Sequence, residues 1–125
     1  MPKSAPVYLD PLRLYLAPMA WLSLLHRVSG LLLVLAIPYA LWLLQQSLVG
    51  PAAYRAVAQQ LSAPALKLVC LPWIWALCHH FLAGLRHLGM DAHRGLHLAN
   101  ARHASFGVMA AAGVLSAAIL GLWLV

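Results

Sequence analysis

Charge is the property this sequence has least of. Only 8% of its 125 residues are charged, with 8 Lys and Arg against 2 Asp and Glu, while 64% are of hydrophobic type. Soluble domains carry about 25% charged and about 45–50% apolar residues, so these few charges cannot furnish a water-facing surface, and so apolar a composition also excludes a disordered chain. The net charge of +6 does not argue for nucleic acid, because the basic residues form no cluster able to track a phosphate backbone. Chemistry of the soluble kind is missing too: there is no Gly-rich phosphate loop, no GxSxG and no pair of carboxylates. Cysteine is scarce. Cys70 and Cys78, eight apart on one predicted helix and so about 12 Å from each other, are too distant to be bridged, and the Cys-x₂-Cys spacing of zinc sites is absent.

What the chain has instead is long uncharged stretches. They lie between Arg27 and Arg55, between Lys67 and Arg86, and from Ala104 to Val125. A membrane-spanning helix needs roughly 20 mostly apolar residues, so the expected fold is an all-α integral membrane domain of three transmembrane helices, at about residues 19–48, 64–90 and 104–125. Trp21 suits an interfacial anchor at the head of the first helix. Pro38 is tolerable in a membrane helix, and Gly50-Pro51 ends that helix. The connector from Gly50 to Pro64 reads as polar and short, with room for a helical turn lying on the surface. The third helix is rich in Ala and Gly, small residues that let helices approach closely in lipid.

Residues 1–18 contain Pro2, Pro6, Pro11 and Pro18 and none of the 7–15-residue apolar run of a secretory signal. They read as a tail rather than a cleaved leader. An Arg-rich, Ser-rich presequence is also absent, which favours a bacterial chain over an organellar precursor. Lys3, Arg13, Arg27, Arg86, Arg94 and Arg102 fall on one side of the expected membrane, Arg55 and Lys67 on the other. The positive-inside rule then puts the N-terminus on the cytoplasmic side, with the head of the first helix and the end of the second at the same inner face.

Ionisable residues in spanning segments are costly and are candidate functional sites by default. Ser23, His26, Arg27 and Gly30, in LSLLHRVSG, share a helix face through their spacing of three and four. Their plain alternative is an arginine snorkelling to the interface beside a serine bonded to its own helix. In HHFLAGLRHLGMD, His80, Gly84, His87 and Asp91 form one stripe, from which His79 is rotated by about 100°. A histidine inside an apolar bundle is a common axial ligand of haem, and Gly84 leaves room for a flat macrocycle or a neighbouring helix. The plain alternative here is a histidine hydrogen-bonded within the bundle, with Arg86 and Asp91 balancing each other at the membrane surface.

The pair of motifs SLLHRVSG and HFLAGLRHLGMD, with His80, Gly84, Arg86, His87 and Asp91, resembles the cytochrome b large anchor subunit of succinate dehydrogenase (complex II). The match covers nearly the whole chain in length, helix count and motif order. The resemblance implies a three-helix anchor in the bacterial inner membrane that works with a second small membrane-anchor subunit, an iron–sulfur subunit and a flavoprotein subunit, surrounded by membrane lipid. It implies haem b shared with the partner anchor, with His80 as axial ligand and Arg86 and His87 near the propionates. Ser23 and Arg27, with His26 beside them, correspond to the ubiquinone site, Gly84 is a supporting residue, and Asp91 is the motif's closing acid. No residue of the chain is assigned a catalytic role of its own. The family's Arg-Pro near the N-terminus is replaced by Ala5-Pro6, and His93, His97 and His103 are left without a role. The rival readings are an anchor of a quinol:fumarate reductase, and a small haem-free membrane transporter or structural subunit.

Overall fold

The computed structural model describes residues 18–93 and 98–124. The N-terminal tail, with its Ala5-Pro6 step, and Arg94 and His97 of the second connector lie outside them. Four helices follow in order: α1, Pro18–Ser47; α2, Pro51–Ser62; α3, Pro64–Asp91; and α4, Leu98–Leu124. Among the described residues there is no strand. Pro51 and Pro64 each stand at a helix's first position, where the missing N–H costs nothing and the fixed φ already suits a helix.

Three helical stretches are long and apolar enough to cross a membrane: Pro18–Ser47, Pro64–Asp91 and Ala101–Leu124. At 1.5 Å per residue the 30 residues of α1 extend about 45 Å, more than the hydrocarbon core requires. Pro38 lies inside α1 and Pro72 inside α3.

The spans alternate in direction, and side chains fasten both ends. At one end the head of α1 meets the later part of α3, and Arg86 of α3 donates from Nη2 to the carbonyl of Ala101 in α4 at 3.1 Å. At the other end Lys67, near the start of α3, donates from Nζ to the Trp123 carbonyl at 2.7 Å and stands 5.8 Å from that residue's ring centre. Helix α3 is the middle element, packed against both α1 and α4.

The packing is inverted relative to a water-soluble bundle. The buried residues are chiefly small or polar, including Ser29, Ala76, Ala83, Ala101, Ser105 and Ala112, while Leu31 is 62% and Leu122 83% exposed. Large apolar side chains facing outward are what lipid solvates, and small ones inside permit close helix approach.

Two boundaries differ from the expectation. The connector after Gly50 is not a turn but the helix α2, tied to α1 by a 3.1 Å bond from Gln60 Nε2 to the Tyr39 hydroxyl. Prolines at both ends isolate it as a unit, and its alternation of Ala and Val with Arg and Gln suits an element lying beside the bundle. Helix α4 is already helical at Leu98, ahead of the expected residue 104, because backbone helix runs through Asn100, Arg102 and His103, beyond the apolar stretch that marks the span.

Candidate functional site

The site is built where the first half of α1 crosses the second half of α3. Residues three, four and seven apart share one helix face, so α1 presents His26, Ser29 and Gly30, and α3 presents His80, Gly84 and His87. The rings of His26 and His80 lie flat on each other, with centres 4.1 Å apart and planes 9° from parallel. His87 closes the group, its ring 5.1 Å from that of His26 and tilted by 58°.

Both glycines are contact points between the helices. A Cβ built on Gly30 would lie 2.9 Å from Cε1 of His80, whereas one on Gly84 would lie 3.5 Å from Nε2 of His26. Gly30 is therefore a seat that any side chain would obstruct, and Gly84 faces α1 at ordinary van der Waals distance.

His80 is fixed by hydrogen bonds as well as packing. Its Nδ1 lies 3.0 Å from the backbone carbonyl of His26 and 3.3 Å from Ser29 Oγ. A carbonyl oxygen can only accept, so Nδ1 carries the proton and Nε2 holds the free lone pair. Among the described residues Nε2 has no hydrogen-bond partner, and His80 is only half-buried. This is the arrangement of a metal-ligating imidazole, whose second N–H is held by a carbonyl so that tautomer and ring direction are set. The donor set thus fits a haem iron. It does not form a closed metal-ion site: among the described residues no group of three His, Cys, Asp or Glu side chains can hold an ion.

The neighbouring His79 is placed differently. It is 1% exposed, stacked on Trp75 at 5.1 Å, and its Nε2 is enclosed without a partner. An enclosed nitrogen cannot reach a group shared with another subunit, so of the two adjacent histidines it is His80 whose geometry suits that task.

Ser23 and Arg27 stand on α1 at the same end of the bundle. Arg27, about 100° around the helix from His26, is exposed, and Ser23 is half-buried. Neither side chain has a hydrogen-bond partner among the described residues, whereas Ser29, Ser47, Ser62, Ser105 and Ser116 all bond a carbonyl of their own helix.

Arg86 and Asp91 do not pair. The guanidinium turns toward α4 and the Ala101 carbonyl, with Nε buried and unpartnered, while Asp91 is exposed at the end of α3. Their separation of five positions puts these side chains about 140° apart around a helix, which is why the balance expected from sequence does not form. His93 follows α3 in the left-handed region, with φ of 59°, and His103 is exposed on α4. Ser29, buried against the His80 ring, is a residue of this contact that sequence reasoning missed. The signal was present in its position three residues after His26, on the face that meets α3.

The chain matches the family model described as succinate dehydrogenase/fumarate reductase transmembrane subunit over residues 1–120. It is 36% identical to the succinate dehydrogenase cytochrome b556 subunit of Coxiella burnetii (strain RSA 493 / Nine Mile phase I) over 87 residues, which is 69% of this chain and 70% of that protein. It is 34% identical to the succinate dehydrogenase cytochrome b556 subunit of Paracoccus denitrificans over 106 residues, 84% of this chain and 82% of that one.

Proposed function

Since the chain belongs to the succinate dehydrogenase/fumarate reductase transmembrane subunit family, we propose that it is the haem b-carrying anchor of a bacterial succinate dehydrogenase that delivers electrons to ubiquinone. The observation that carries this reading is His80, with Nδ1 held by the His26 carbonyl and Nε2 left without a partner among the described residues. His80 would hold the haem from this chain, and a second small anchor subunit would hold it from the other. When bound, haem b supplies a one-electron store near the quinone site. His87, and the N–H groups of Arg86 beyond the one given to Ala101, are the donors for the haem carboxylates, since a guanidinium has five N–H groups.

Ubiquinone lies against Ser23 and Arg27, with His26 beside them. Reduction by two electrons brings two protons to the quinone oxygens, and charge develops there first. A hydroxyl and a fixed cation not already engaged by the protein are suited to stabilise that charge, and these two side chains are unengaged among the described residues. The donors at the head of α1 and the end of α3 share one end of the bundle with Arg27, Arg86 and Arg102, while Arg55 and Lys67 belong to the other. The positive-inside rule supports placing that richer end, and the tail at residues 1–18, on the cytoplasmic side of the inner membrane, where the iron–sulfur and flavoprotein subunits dock.

The test is a dithionite-reduced minus oxidised visible spectrum of the complex purified in detergent, with identification of every co-purifying chain. A b-type signal together with a flavoprotein, an iron–sulfur subunit and a second small membrane chain is expected. An intact chain with neither haem nor those partners would sink the proposal. For the quinone site, Arg27→Ala and Ser23→Ala should each cut quinone reduction at least tenfold while succinate oxidation with a soluble dye acceptor is kept.

A further inference from the structure

Ser29 is fully buried, and its hydroxyl does two things at once. It donates to the His26 carbonyl at 2.8 Å, which directs the hydroxyl proton at the backbone and leaves the oxygen lone pairs free to face Nδ1 of His80, 3.3 Å away. The Nδ1–H of His80 therefore sits between two acceptors, the His26 carbonyl and Ser29 Oγ. The other helical serines that bond a carbonyl, Ser47, Ser62, Ser105 and Ser116, do so only within their own helix. Bonding to its own helix would satisfy a buried hydroxyl, but it does not account for the contact with an imidazole on a different helix. Gly30, next in sequence, leaves the space into which the edge of the same ring fits.

From this geometry we infer that Ser29 is a positioning residue for the haem ligand, its hydroxyl oxygen setting the direction and electron donation of the His80 ring and so the potential of the haem. The inference rests on the reading of His80 as axial ligand. Each acceptor on Nδ1–H gives the imidazole more anionic character and makes Nε2 a stronger donor. A stronger axial donor favours ferric over ferrous iron and holds the potential low. The α1 residues His26, Ser29 and Gly30 are thus a cradle for a ligand that α3 carries: the carbonyl fixes the tautomer, the hydroxyl adds the second acceptor, and the glycine admits the ring.

The experiment is potentiometric titration of the haem in the intact purified complex carrying Ser29→Ala, alongside Ser29→Cys and His80→Ala. Ser29→Ala should retain full haem content, with the midpoint potential shifted upward and the low-spin EPR signal altered, since that signal follows the relative orientation of the axial imidazole planes. Ser29→Cys keeps the side-chain shape but replaces oxygen with a weaker acceptor, so its potential should move in the same direction by a smaller step. If Ser29→Ala fails to assemble, the Cys variant alone decides by the same titration. A potential that stays in place or moves downward with haem retained overturns the role of Ser29. His80→Ala separates the two readings: haem lost there, with no shift at Ser29, refutes only the cradle, whereas full haem in His80→Ala refutes the ligand assignment itself.

Discussion

The two faces of α3 use polar groups in opposite ways. Against α4, polar side chains are engaged by main-chain carbonyls: Arg86 by Ala101, Lys67 by Trp123, and Ser105 and Ser116 within α4 itself. Such contacts hold helices together in a medium that offers no water to satisfy a donor. Against α1, His80 commits one nitrogen and keeps the other, and just beyond the interface Ser23 and Arg27 have no partner among the described residues. The difference teaches how to separate structural from functional polarity inside a membrane bundle. A polar group spent on backbone contributes to the packing; one that is rigidly held with a nitrogen not enclosed, unlike Nε2 of His79 or Nε of Arg86, is placed for something outside the chain.

The strongest way to break this contrast is Gly30→Leu. Even the first carbon of a side chain there would lie 2.9 Å from His80 Cε1, and overpacking costs about 1–3 kcal/mol, equivalent to a roughly 5- to 150-fold loss in haem retention. Pyridine haemochrome quantitation of the purified complex measures this; normal haem content would show that the His80 ring does not need the seat. On the other face, Lys67→Met removes the bond to the Trp123 carbonyl and the contact with its ring. A charged donor's hydrogen bond is worth about 1.5–3 kcal/mol, reduced here because Lys67 is only half-buried. The expected outcome is a lower thermal midpoint in detergent with an unchanged haem spectrum, and a spectrum that changes would mean the two faces are not independent. The smallest effect belongs to Gly84→Ala. Its new carbon would meet His26 Nε2 at an ordinary 3.5 Å, and alanine gains up to about 1 kcal/mol over glycine in a helix. Haem content should hold and the thermal midpoint should stay or rise, so a haem loss matching that of Gly30→Leu would erase the distinction between the two glycines.

Much of this architecture is legible without coordinates, because charge scarcity and span length leave few alternatives. The three spans follow from uncharged stretches, and the histidine stripe of α3 follows from a spacing of four and three. What escaped the reading depends on which helix faces which. The distance to Gly84 favours His80 over His79, and the docking of α1 adds that His80 faces it while His79 is enclosed. The same docking gives Ser29 its meaning, since a serine three residues after a histidine is unremarked until a ring from α3 lies beside it. Helix α2 was missed for a different reason: its polar composition suits a loop as well as a surface helix, and the prolines at residues 51 and 64 are compatible with both. The Arg86–Asp91 pairing failed on angle, which composition does not reveal.

The contacts that present the His80 nitrogen join α1 to α3 and involve no residue of α4. During synthesis, with the N-terminal end leaving the ribosome first, those contacts are complete in sequence once Asp91 has emerged. The last helix joins α3 afterwards through Arg86 and Lys67. The contacts around His80 and the fastening of α4 are therefore separable in the order of synthesis, and a chain truncated before α4 should show the first without the second.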